Sequence, residues 1–424
     1  MIKFLIKGLI RDKSRSRLPV IVVALGVMLT VFLHAYINGF MGDTIEMNAR
    51  FSYGHVKVMT RAYAAEMDQA PNDLALLGAD DMLTELREMY PEMEWSPRIQ
   101  FGGLLDAPDE EGETRAQGPV MGLALDMLSP ESPEAERVGL ADAVVRGAMP
   151  RNRGEILVSD HISRRLSVDP GDEVTFIGSS MYGGMVFYNF NVSGTLYFGI
   201  EVMDRGTIIA DIADVRLALD MEDGAGEIVG FFPGDFYDDE LAKKTSDNFN
   251  SLYEDERDEF SPVMKSLSMQ GTMGPYVEMV KYWSWYITMV FVLAMSIVLW
   301  NAGLLGGLRR YGEIGIRLAM GEEKGHLYRS MIWESVFIGL TGSLAGTALG
   351  LIFAYIIQVH GIDISGMMEG AALMMPDTIR TRITPMDYYI GFVPGLFSTV
   401  AGTMLAGRAI YKRETARLFK ELEA

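Results

Sequence analysis

The sequence predicts an α-helical membrane protein with four transmembrane helices plus a large α+β extracytoplasmic domain inserted between helices 1 and 2. Three observations carry this. Four apolar runs are each long enough to cross a hydrocarbon core about 30 Å thick, which takes about 20 helical residues. None has a Lys, Arg or Asp near its middle, where each would cost about 2.5 to 3.5 kcal/mol. The formal charge of −20 is sharply partitioned: residues 43–277 hold 44 acidic and 18 basic side chains, while the rest of the chain is net basic.

Residues 1–17, MIKFLIKGLIRDKSRSR, repeat Ile2, Leu5, Ile6, Leu9 and Ile10 at helical spacing opposite Lys3, Lys7 and Arg11. That pattern fits an amphipathic helix in the cytoplasmic headgroup layer; a basic flank that only fixes topology fits it equally. The first span, 18–42, is too long for a signal-peptide core and lacks a small-x-small cleavage site, so it reads as an uncleaved anchor. Residues 43–277 change to short strands and helices punctuated by Gly and Pro, the pattern of a water-soluble mixed domain. Strands are expected at 52–59 and 98–107, and a helix at 80–89. Residues 155–178 read strand, short helix, DPGD turn at 169–172 and strand. Further strands follow at 185–199, then strand and helix at 206–219. The acidic stretches 106–115 and 238–259 read as solvated surface.

The second span covers 278–308, a cytoplasmic loop 309–330, the third span 331–358, an outer loop 359–387, the fourth span 388–409 and a tail 410–424. Lys and Arg concentrate on cytoplasmic flanks. Residues 1–17 carry six, 309–330 carry five and the tail from Arg408 carries five, whereas 359–387 carries only Arg380 and Arg382. Both termini and the 309–330 loop are therefore expected inside, the acidic domain outside.

Chemistry is conspicuously missing from the motifs. The net acidity excludes nucleic acid as the default partner. The absence of cysteine excludes disulfides, thiolate metal sites and a Cys nucleophile. His34, His55, His161, His326 and His360 are scattered, and HExxH, EF-hand, GxSxG and GxxxxGK[ST] patterns do not occur. No catalytic, cofactor-binding or metal-binding residue is assigned, and any ATP must be hydrolysed by another chain.

The most informative stretch is LRRYGEIGIRLAMGEEKGHL, 308–327. Ile314, Ile316 and Leu318, with Glu313 and Arg317 between them, predict a short amphipathic helix, and Gly321 is a natural helix stop. This stretch resembles the coupling-helix signature of the FtsX/MacB-like ABC transporter permeases (type VII). The following WESVFIGLTGSLAGTALGL resembles that family's third span. RGEILVSDHISRRLSVDPGDEVTFIG and SYGHVKVM resemble its outer-domain segments, the latter in the lipoprotein-releasing LolC/LolE-like branch. The tail AGRAIYKRETARLFKELEA departs from the family in lacking prolines, which leaves the tail contact open. Residues 1–17 show nothing like the fused N-terminal ATPase of the macrolide-exporter branch, so the resemblance is expected to be to the Lol-like branch.

The resemblance implies a non-catalytic permease subunit that binds no cofactor itself. It would transmit motion from a separate cytoplasmic ABC ATPase dimer, which uses ATP and Mg, through Arg310, Glu313, Ile314, Gly315, Ile316, Arg317, Leu318, Met320 and Gly321. A second permease copy or a paralogue, the lipid bilayer, a lipoprotein substrate and a periplasmic carrier or adaptor are the implied partners, in a bacterial inner membrane with a MacB-like periplasmic core. Lipoprotein extraction is the favoured task. MacB-like efflux of amphiphiles or peptides, and FtsX-like signalling to cell-wall hydrolases, stand as alternatives.

Three further features stand out. Gly342, Gly346 and Gly350 recur every four residues and let a neighbouring helix approach. His34 and Asn38 sit one turn apart inside span one, either as a functional site or as interface polar residues. Met269, Met273 and Met279, with Met264, Met367, Met368, Met374 and Met375, are either an adaptable surface for acyl chains or ordinary core filling.

Overall fold

The computed structural model describes residues 13–109, 111–198, 204–234, 237–253, 258–308, 311–363 and 378–412. The N-terminal segment up to Asp12, Arg310, the methionines at 367, 368, 374 and 375, and the tail beyond Lys412 lie outside the described residues. The chain falls into two compact units, divided at Gly42/Asp43 and Glu278/Met279.

In the helical unit, four helices are long and apolar enough to cross a membrane: Arg17–Tyr53, Met273–Leu308, Lys324–His360 and Pro385–Arg408. The helices overrun the apolar segments because hydrophobicity marks only the length that must leave water. Helix ends are set instead by breakers, here Gly54 and Gly361 with positive φ of 65° and 69°. Span four is irregular at its start. A 3-10 turn Pro385–Tyr388 and a π-helical turn Val393–Ser398 precede the α-helix Thr399–Lys412. Pro394 has no N–H to give the helical ladder, so the turn widens around it.

Close backbone approach organises the packing. Val23, Val27 and Val31 of span one are buried. They lie where a Cβ on Gly342, Gly346 and Gly350 of span three would sit, 2.7 Å, 2.7 Å and 2.9 Å from it respectively. Gly303 of span two and Gly402 of span four likewise face each other's helix backbone, at Thr399 and Trp300. Outward-facing residues such as Leu25, Leu293, Ile297 and Phe353 stay exposed. A group of exposed aromatics, Tyr282, Trp283, Trp285 and Tyr286, marks one end of span two, as an interfacial belt does.

The second unit is a mixed α/β structure. Its longer strands are β1 (Val56–Thr60), β2 (Glu94–Pro108), β3 (Thr114–Leu125), β4 (Val144–Gly147), β5 (Glu155–Ser159), β6 (Glu173–Ser179), β7 (Met185–Leu196), β8 (Thr207–Asp211), β9 (Glu227–Phe231) and β10 (Pro262–Ser266). The pairings β2–β3, β3–β8, β8–β5, β5–β7, β7–β6 and β6–β2 close a six-stranded ring. Two of these pairs, β3–β8 and β5–β7, are parallel. Alternate residues point inward, so Phe101, Leu105, Val158, Phe176, Phe190 and Ile208 fill the ring as one buried cluster. The start of β2 leaves the ring and pairs with β9, which continues the antiparallel sheet through β1 to β10.

Two expectations need correcting here. Residues 52–55 are not strand: the π-helical turn Ala49–Tyr53 ends at Gly54, and β1 begins only at Val56. Nor is 238–259 merely surface: Asp238 caps a helix Asp239–Asn250 whose Ala242, Thr245, Ser246 and Phe249 are buried. Its charges occupy the other face.

Candidate functional site

The predicted amphipathic helix is Tyr311–Ala319. Ile314 is buried and clusters with Leu327 and Met331 of the third span, with Leu318 packed alongside. That face anchors the helix. Ile316 and Met320, one turn apart on another face, remain 49% and 75% exposed. Glu313 and Arg317 pair along the helix at 3.3 Å; both are substantially solvated, so the pair adds only about 0.3–0.5 kcal/mol. Gly315 is buried. The helix ends in a Schellman turn: the N–H of Gly321 donates to Leu318 O at 3.0 Å, and that of Glu322 to Arg317 O at 3.1 Å. Gly321 has φ of 92°, which favours glycine there.

Beside this helix the spans leave an open cavity of about 800 Å³, with Val22, Leu305, Ile316, Met331 and Ile338 among its walls and Glu313 and Glu334 at its edge. Among the described residues, the hydrophobic anchor of the short helix is the start of the third span. Its exposed apolar residues Ile316 and Met320 lie away from the face packed on the third span, with Ile316 also lining the cleft. Among the described residues no group of three or more His, Asp or Glu could hold a metal ion.

The remaining sequence-derived candidates separate. Gly342, Gly346 and Gly350 lie against span one, as described. Met273 is 4% exposed and Met264 fully buried, whereas Met269 and Met279 are 45% and 47% exposed. Only the latter two offer an accessible thioether; Met264 is part of a strand core because its position in β10 alternates inward.

His34 turns into the helical unit. Its Nδ1 lies 2.7 Å from Asp387 Oδ1, both side chains being buried. Asn38 Nδ2 lies 3.2 Å from His34 Nε2, and Ser284 Oγ donates to Asn38 Oδ1 at 3.0 Å. The apolar pattern of the sequence does not point to the partners Asp387 and Ser284. Asp387 had a signal: Thr384-Pro-Met-Asp before an apolar run is a capping box, and Thr384 N–H and Oγ–H both donate to Asp387 Oδ2, at 2.7 and 2.9 Å. Ser284 had none, since a lone serine in an apolar helix usually bonds its own backbone.

Residues 285–415, which include the helix Tyr311–Ala319 and the spans around it, match the model of the family described as FtsX-like permease C-terminal. Particular relatives agree. The chain is 27% identical over 124 residues to an uncharacterized ABC transporter permease of Methanocaldococcus jannaschii, covering 28% of this chain and 31% of that protein. It is 27% identical over 116 residues to the macrolide export ATP-binding/permease protein MacB of Neisseria meningitidis, covering 24% of this chain and 18% of that protein. The match thus spans about a third or less of these relatives' length. Among solved structures, the periplasmic region of MacB from Actinobacillus actinomycetemcomitans aligns with a TM-score of 0.34 at 9% identity, covering 52% of this chain and 91% of that one.

Proposed function

We propose that this chain is the transmembrane subunit of an ABC transporter, driven by a separate ATPase that docks on the helix Tyr311–Ala319. The carrying observation is the two-faced character of that helix: Ile314 is locked into the third span while Ile316 and Met320 stand exposed. Beside an apolar cleft, an exposed apolar pair on a short, anchored helix supplies area that a partner can bury. The names of the relatives, an ABC transporter permease and MacB, support the same reading. In this reading the termini and the 309–330 loop are cytoplasmic and residues 43–277 form an insertion on the outer side of a bacterial inner membrane. Two copies, or this chain and a paralogue, assemble with two ATPases.

The task we propose is extraction of lipoproteins from the membrane toward a carrier. The α/β unit supports it with an apolar outer face on the ring: Leu104, Met121, Met185 and Phe187 alternate outward on β2, β3 and β7 and stay exposed. The MacB relatives favour a second reading, efflux of an amphiphile or peptide. Mass spectrometry of molecules co-purifying with the membrane complex discriminates between them. Acylated lipoproteins support the first reading; small amphiphiles with an outer-membrane duct replace it with the second. Cell-wall hydrolases as the bound partners would replace both with signalling.

A further inference from the structure

We propose that the cleft beside the helix Tyr311–Ala319 holds a phosphatidylethanolamine molecule, with its ammonium on Glu313 and Glu334 and an acyl chain between the spans. The cleft lies wholly within the helical unit and encloses about 800 Å³, in the range of cavities that hold small ligands, about 300–1,000 Å³. All four spans contribute to its walls: Val22 from span one, Leu305 and Gly306 from span two, Met331 and Ile338 from span three, and Thr399 and Thr403 from span four. Gly306 helps keep it open, because a Cβ there would meet nothing within 4 Å. Space bordered by aliphatic side chains favours an apolar occupant over water.

The polar groups on the wall select the head of that occupant. Among the described residues lining the cleft there is no Lys, Arg or His, whereas Glu313 and Glu334 are both present. The hydroxyls of Ser335, Thr399 and Thr403 donate to carbonyls of their own helices, those of Ile332, Gly395 and Thr399, at 2.8, 2.7 and 3.1 Å. What these side chains retain for a ligand is oxygen lone pairs. A phosphate, carboxylate or carbonyl placed against them would meet acceptors only, while an ammonium brings three N–H donors and the opposite charge. Glu313 and Glu334 already have contacts. A carboxylate accepts about four hydrogen bonds, so the ammonium joins those contacts and displaces none. The phosphate, joined to that ammonium by a short ethylene link, needs a cation in turn. Arg317 supplies one: its guanidinium lies 3.3 Å from Glu313 Oε1 and is partly solvated.

The test is native mass spectrometry of the full chain, purified in detergent and incubated with equal amounts of phosphatidylethanolamine, phosphatidylcholine and phosphatidylglycerol carrying the same acyl chains. Phosphatidylcholine has the positive charge without N–H donors, and phosphatidylglycerol has neither. Phosphatidylethanolamine is expected to be retained about tenfold over both, the worth of one charge-assisted hydrogen bond. Glu334→Gln should abolish that preference. Gly306→Leu fills the acyl space without touching the carboxylates, and should lower retention of phosphatidylethanolamine by about tenfold or more. Leucine also suits a helix better than glycine, so this variant is expected to fold. Equal retention of the three lipids by the wild type, or phosphatidylethanolamine binding unchanged in either variant, overturns the proposal. So does retention of dodecylamine in preference to phosphatidylethanolamine, which would assign the cleft to a free amine in place of a membrane lipid. The headgroup comparison is made on the unmodified chain and does not depend on either variant.

Discussion

Arg98 shows how much one side chain organises in the α/β unit. It is completely buried, its Nε donating to Glu134 at 2.8 Å and its two terminal nitrogens to the carbonyls of Phe51 and Arg50, each at 2.8 Å. Arg137 reinforces the same carboxylate and lies 4.2 Å over the Phe231 ring. Removing one partner of such a buried pair leaves a stranded charge, so Arg98→Met is expected to cost about 3–5 kcal/mol. Arg98→Met with Glu134→Leu should recover part of it, as read from the melting temperature in nanodiscs. His55 is held in one tautomer: its Nδ1 accepts from Phe232 N–H at 3.0 Å, so Nε2–H is left to donate to Glu46 at 2.8 Å. Asp160 supplies a pH dependence. Burial raises its carboxyl, but the Arg146 hydrogen bond and charge, Arg164 and the Thr195 hydroxyl together bring it below the ordinary aspartate value. A depressed folded pKa stabilises in full above the unfolded value, about pH 4, and that stability is lost as pH falls through the folded one. Asp160→Asn should therefore be less stable than the parent at pH 7, by about 1 kcal/mol because Arg146 is partly solvated, and the gap should close as pH falls below the ordinary aspartate range through the depressed folded value.

At the scale of elements, the short helix Tyr311–Ala319 and span three lend themselves to opposite tests. Ile316→Ser with Met320→Ser alters only the exposed face, so the chain should fold normally and yet lose most of its association with the ATPase, measured by co-purification. Replacing Glu313 and Arg317 together should uncouple ATP hydrolysis from transport; full transport would count against docking at this helix. Gly346→Val has the reverse profile. A side chain there meets the Ala24 carbonyl and Val27, and overpacking of this kind costs about 1–3 kcal/mol, seen as a lower melting temperature. These elements were legible because their signals are local: apolar spacing plus Gly321 for the helix, a four-residue glycine repeat for the interface, the DPGD turn for the β6 entry. Others were hidden by locally polar sequence. Thr114–Leu125 forms β3, though Gly118 and Pro119 read as breakers; β3 pairs along β2, and the acidic stretch before it makes the hairpin, where Asp109 accepts the N–H groups of Glu111 and Glu113. Asp387 is obscured in the sequence because it lies just before the apolar run of span four. What decided these cases was tertiary pairing, which no window of sequence contains.

For the molecule as a whole, the proposed topology is open to direct measurement, since the chain has no cysteine and any introduced thiol is unique. Arg153→Cys and Met320→Cys, both at exposed positions, should react with impermeant reagents from opposite faces of a sealed vesicle; labelling from one face alone would refute the arrangement. The composition already separated an acidic segment from an apolar remainder, which is why the division into units was readable; the closure of the ring was not, because it depends on which strands meet. β2 gives Glu94–Arg98 to β9 and Ile99–Pro108 to the ring, so the two halves of the domain have a common axle. Opening either half strips the same strand from the other, and deuterium uptake at Ile228 and at Phe176 should rise together under mild denaturant, as a single event rather than two.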